Sequence, residues 1–185
     1  MQARAPLMIE HRLIERLLSV VAQAVKVVEL TGSIDPLFVD LAVDFIRTYA
    51  DRTHHGKEED ILFAALAGKD LAPEHRQTMA ELIEDHKWGR KTTASLVEAK
   101  NDYLLDRTGA LDDLLLHLEE LVIFYPRHID KEDKRFFIPC MAYFSDSEKA
   151  HLLEQMAEFD RRMIHEKYQG IVDSIEHRKS CKTCK

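Results

Sequence analysis

The residues whose types and spacing could do chemistry are the ten histidines of this 185-residue chain, set among 33 carboxylates. Two pairs are spaced for it: His55 with Glu59, and His128 with Glu132, each an imidazole and a carboxylate four residues apart. On an α-helix that spacing is one turn, so both side chains of a pair reach one point. The two segments repeat each other, His55-x-x-x-Glu59-Asp60-x-x-Phe63 against His128-x-x-x-Glu132-Asp133-x-x-Phe136, which suggests a two-fold site. Burying two carboxylates without cations costs several kcal/mol each, and neutral imidazoles cannot offset the charge. A metal is the natural partner. With His11 and His86 the set becomes six N/O ligands and no thiolate, which suits iron or manganese, and two carboxylates among four histidines suit a carboxylate-bridged pair of metals.

The elements that must position these residues are helices. Breakers at Thr31-Gly32-Ser33, Gly68-Lys69-Asp70, Arg107-Thr108-Gly109, Pro139 and Ser145-Asp146-Ser147 cut the chain into five long segments. Four carry a stripe stepping by three and four: Leu7, His11, Ile14, Leu18, Val21; then Phe38, Leu41, Phe45, Thr48, Arg52, His55, Glu59, Leu62; then Met79, Leu82, His86, Thr93; then Leu114, Leu118, Leu121, Tyr125, His128, Glu132. Such helices joined by short turns predict an all-α fold, an antiparallel up-down-up-down four-helix bundle. The midpoint of His11 and His55 is residue 33 and that of His86 and His128 is 107, both inside turns, so equal rise on both arms of each hairpin puts all four imidazoles in one layer. His54 and Glu58 copy the spacing one residue earlier, about 100° round an α-helix, and are expected beside the site rather than in it.

With its local context, Glu10-His11, His54-His55-Gly56-Lys57-Glu58-Glu59-Asp60, Asp85-His86-Lys87-Trp88 and His128-Ile129-Asp130-Lys131-Glu132-Asp133, the chain from Leu7 to Pro139 resembles the hemerythrin-like, or HHE cation-binding, domain family. That resemblance implies a non-haem centre of two iron ions, oxo- or hydroxo-bridged, with Glu59 and Glu132 bridging, His11 and His55 on one iron and His86 and His128 on the other. Manganese would accept the same six ligands. The oxygen carriers of the family add a histidine one turn after the third helix's ligand, where this chain has Arg90. Both irons are then expected to keep an open position. The family's relatives with such ligand sets imply reaction with O2, peroxide or nitric oxide in oxidative or nitrosative stress, with an electron donor as partner. A non-enzymatic oxygen or iron sensor, and an iron donor for iron-sulfur centre repair, stay open beside it.

Composition narrows the rest. A net charge of -7 gives no basic footprint for nucleic acid or an anionic membrane surface. The apolar run from Leu17 to Leu30 is short and interrupted by Gln23 and Lys26, so no membrane span is expected. Three cysteines and an N-terminus without an apolar signal core point to the cytoplasm. The expected organisation is a bundle over 1–140, an extra C-terminal helix packed on it over 141–178, and a tail over 179–185 holding Cys181-Lys-Thr-Cys184. Tyr125 and Trp88 are expected in the core, Cys140 as a buried inert thiol, and Pro126 as a bend near His128.

Overall fold

The computed structural model describes the backbone of residues 3–182 and side chains through residue 173. Helices α1 (Ala5–Thr31), α4 (Pro73–Leu104) and α5 (Ala110–Lys131) form three arms of an antiparallel bundle. The remaining arm, residues 36–67, is assembled from α2 (Pro36–Phe45), two wide turns with i to i+5 hydrogen bonding, π1 (Ile46–His55) and π2 (Glu58–Phe63), and α3 (Ala64–Ala67). A third wide turn, π3 (Glu132–Phe136), and short α6 (Phe137–Cys140) extend α5. The long helix α7 (Asp146–Lys182) then runs back over the π1–π2 arm. The described residues contain no strand, and no helix among them is long and apolar enough to cross a membrane.

Local chemistry explains the boundaries. Gly32 ends α1 in the left-handed conformation, φ 67°, and donates its N–H to the Val28 carbonyl, a position only glycine adopts without strain. The Asp35 carboxylate accepts the Leu37 N–H at 2.9 Å and Pro36 opens α2 with its φ preset. At the head of α7 a reciprocal cap forms: Ser145 Oγ accepts the Glu148 N–H, and the Glu148 carboxylate accepts the Ser145 N–H at 2.8 Å. The cap is thus Ser145, the first residue of the Ser145-Asp146-Ser147 breaker. Helix α5 continues through Pro126.

The buried face of the 36–67 arm is not the one an α-helical count predicts. Val39, Ala42, Val43, Ile46 and Ala50 are buried, whereas Leu41 is 64% exposed and Arg52 lies on the surface. A wide turn holds one more residue than an α-turn, so stepping back from His55 across π1 by threes and fours arrives on the wrong face of α2.

A polar layer divides the core in two. On one side pack Ile14, Leu18, Ile46, Ala50, Leu96, Leu118 and Tyr125; on the other pack Leu7, Leu62, Leu82, Phe136, Phe137 and, from α7, Leu152, Met156, Phe159 and Met163. His11 sits between Leu7 and Ile14, and His128 between Tyr125 and Phe136, so the layer falls where the sequence places it.

Candidate metal centre

Five imidazoles and two carboxylates meet in that layer. His11 comes from α1, His54 and His55 from π1, His86 from α4 and His128 from α5; Glu58 opens π2 and Glu132 opens π3. All seven are buried. Both glutamates divide their oxygens between two ends. Glu58 Oε1 lies 3.4 Å from His54 Nε2 and Oε2 lies 3.3 Å from His86 Nε2. Glu132 Oε2 lies 3.1 Å from His11 Nε2 and Oε1 lies 3.1 Å from His128 Nε2. Donor atoms within 4.8 Å of one another therefore form two groups that could each hold a metal ion, His11, His54, Glu58 and Glu132 at one end and His55, Glu58, His86 and His128 at the other.

The donor set fits a cation on an observation independent of its residue types. His55 Nε2, His86 Nε2, His128 Nε2 and all four oxygens of Glu58 and Glu132 are buried without a hydrogen-bond partner. One such atom costs roughly 1–3 kcal/mol. Seven of them converging on one volume is an arrangement that only positive charge stabilises.

The opposite nitrogen of every ring is held by a carboxylate. Nδ1 donates to Asp133 from His11 (2.9 Å), to Glu10 from His54 (2.9 Å), to Asp51 from His55 (3.4 Å), to Glu59 from His86 (2.7 Å) and to Asp85 from His128 (3.2 Å). These contacts orient each ring with Nε2 facing inward, the nitrogen that would bind a metal, and Nε2 of His11 and His54 lie in hydrogen-bond contact at 2.9 Å. Each carboxylate is in turn tied to a cation: Asp133 to Arg12, Glu10 to Lys57, Asp51 and Glu59 both to Arg90 (2.7 and 2.6 Å), and Asp85 to Lys131 (2.8 Å).

The field at the centre shows in its titration. Burial opposes charge on His11, but the Asp133 hydrogen bond and the Glu132 and Glu58 carboxylates outweigh it and lift this imidazole to about 10. His86 is likewise lifted to about 11 against burial, by Glu132, Glu58 and Glu59. His55 goes the other way, pushed well below its usual range by burial and by His86 and His128 beside it. Glu132 stays far below the carboxylate range despite burial, because His128 and His11 face it.

Of the sequence-derived set, His11, His55, His86, His128 and Glu132 are among the seven converging side chains. Glu59 is not. It lies on the outer side of His86, partly exposed, bonded to His86 Nδ1 and Arg90, while Glu58 occupies the interior position. His54 enters with Glu58, and His55 faces the His86–His128 end rather than His11. The cause is the widened arm. Glu132 and Phe136 are four residues apart and Glu58 and Phe63 five, so aligning the two segments on Phe63 and Phe136, whose rings meet at 5.4 Å, selects the wrong glutamate by one. The sequence signal that could have found the pair is His54-x-x-x-Glu58 beside His128-x-x-x-Glu132. With two imidazoles in one group and three in the other, the two ends are unequal rather than alike.

The family model for the hemerythrin HHE cation-binding domain matches residues 4–138, which include all seven converging side chains. The chain belongs to this family. It is therefore a metal-binding domain of the hemerythrin HHE type, and α7 lies beyond the matched residues. No curated protein and no solved structure gives a match.

The neighbouring residues settle into supporting positions. Tyr125 is in the core, its ring parallel to His55 at 6.4 Å. Trp88 is not buried as expected but 38% exposed, lying on Phe124 at 4.5 Å, and Phe124 stacks on His128. Cys140 is buried and its thiol is pushed up to about 12 by burial. Neither Cys184 nor the side chain of Cys181 lies among the described residues.

Proposed function

We propose that this hemerythrin HHE domain holds two iron ions, bridged by Glu58 and Glu132, and uses them to bind or react with O2, peroxide or nitric oxide. The observation that carries the reading is the split of both carboxylates, one oxygen toward each end, among seven orphaned buried atoms. Bound there, a pair of irons supplies one-electron redox chemistry and affinity for small diatomic or peroxide ligands; manganese would fit the same donors.

The chain's own residues set what such a centre can do. His55, His86 and His128 with both glutamates offer five donors at one end, while His11 and His54 with the same glutamates offer four at the other. The His11–His54 end thus has the spare position. Apolar layers on both sides, Leu7 and Phe137 on one and Ile14 and Ile129 on the other, exclude bulky or charged reactants. Turnover would further require an electron donor as partner, and a reducing cytoplasm fits the buried free Cys140.

The test is optical. Anaerobically reduced, iron-loaded protein is mixed separately with O2, hydrogen peroxide and nitric oxide, and the fastest spectral change ranks the reactants. Protein that binds two irons and responds to none of them would sink the reading. A sensor without turnover is the second reading, and one observation favours it: α7 reaches the His54 support through Asp160 and Lys57.

A further inference from the structure

Lys57 is completely buried, with Glu10 and Asp160 as its hydrogen-bond partners. Its ammonium touches Glu10 Oε1 on α1 and lies 2.6 Å from Asp160 Oδ1 on α7. The other Glu10 oxygen, Oε2, holds His54 Nδ1 at 2.9 Å. A continuous chain of charge-assisted hydrogen bonds therefore runs Asp160, Lys57, Glu10, His54, from the helix beyond the family domain to a ring facing the centre.

No other converging histidine is supported this way. Asp133, Asp51, Glu59 and Asp85 take their cations from Arg12, Arg90 and Lys131, all within the bundle and all partly or well exposed. The remaining described ion pairs of α7 with the bundle, Lys69–Glu148, Arg52–Glu166 and Asp44–Lys167, join partly or well exposed groups and hold α7 weakly. A fully buried ammonium is costly unless paired, so Lys57 depends on both of its carboxylates. The Asp160 side chain is 42% exposed and meets the buried Lys57 at the edge of the core, flanked in sequence by Phe159 and Met163, which pack α7 inward; Phe159 lies so close to Gly56 that a Cβ there would come within 2.7 Å of its ring.

We propose that Asp160 is a positioning residue for His54, acting through Lys57 and Glu10, so that metal binding at the His11–His54 end and docking of α7 are linked. Linkage is reciprocal: a metal on His54 tightens α7, and loosening α7 weakens that metal. The inference rests on the two-metal reading above. It makes α7 the element through which occupancy of the more open end is reported to the surface.

The experiment uses the full chain loaded anaerobically with ferrous iron. Release of iron to a chelator is followed in wild type, Asp160→Asn, Asp160→Glu and Lys167→Ala, and amide hydrogen exchange across 147–163 is measured with and without iron. Asp160→Asn is expected to speed one of two release phases by roughly tenfold and leave the other unchanged, as removal of a ligand's support does. Asp160→Glu restores most of that phase, and Lys167→Ala, which breaks an exposed pair of the same helix, changes neither. Exchange across 147–163 is expected to rise on iron removal from wild type. Two bound irons with unchanged release in Asp160→Asn, or exchange indifferent to iron, overturns the linkage while the two-metal reading stands. Wild type that binds fewer than two irons overturns the reading beneath it.

Discussion

Glu59 lies against the outer nitrogen of His86, 2.7 Å from Nδ1, while Glu58 lies 3.3 Å from the inner Nε2 of the same ring. Adjacent glutamates thus grip one imidazole from opposite sides, one as a candidate bridge and the other as a support. Glu58→Ala is expected to abolish binding of both metals, since each end loses an oxygen. Glu59→Ala is expected to keep two metals with affinity at the His86 end lowered about 10–100-fold. Metal content by mass spectrometry decides between them, and equal loss in both variants would mean the roles are wrongly divided.

His54→Ala should leave one tightly held metal per chain. Its ring supplies one of two nitrogens at the His11 end, and the His55, His86 and His128 end keeps all of its own. Two metals retained in this variant would place His54 outside the centre.

Arg90 spans the supports of two rings, Asp51 beneath His55 and Glu59 beneath His86. Arg90→Gln should loosen both together. Competition against a chelator should show roughly tenfold weaker binding at the end they share and unchanged binding at the other.

Metal affinity should rise with pH. His11 and His86, lifted to about 10 and about 11, carry protons at pH 8 that a metal must displace. Binding at pH 8 in weak buffer should release at least two protons per chain, read with an indicator dye. The same shifts govern the metal-free fold. An imidazole whose folded value is raised stabilises the fold fully below about 6.5, and that contribution is lost as pH climbs through the raised value. The Tm of chelated protein should therefore fall on approach to pH 10, while loaded protein, whose imidazoles hold metal instead of protons, should lose less.

Leu118 is completely buried in the apolar half away from α7. Leu118→Ala should cost about 2–5 kcal/mol of stability in denaturant titration. Metal stoichiometry should be unchanged, which separates packing from ligation.

The bundle, the depth of its polar layer and the convergence of His11, His86 and His128 are legible in the sequence because α1, α4 and α5 keep an α-helical period through those three residues. Turn position and rise per residue then place these residues without knowledge of any contact. The 36–67 arm defeats the same reasoning, since no residue type announces an i to i+5 turn. One extra residue between glutamate and phenylalanine carries His54 and Glu58 inward and Glu59 outward. The Nδ1 supports escape for another reason: Asp133, Glu10, Asp51 and Asp85 look like solvated surface charge, and Glu59 like a ligand, until five rings are seen to lean on them.

The most direct measurement is Mössbauer spectroscopy of protein loaded anaerobically with enriched iron, with total iron determined on the same sample. Two irons per chain in two distinct environments of equal area would match an end with five protein donors beside an end with four. A single environment, or one iron per chain, would contradict the unequal bridged pair.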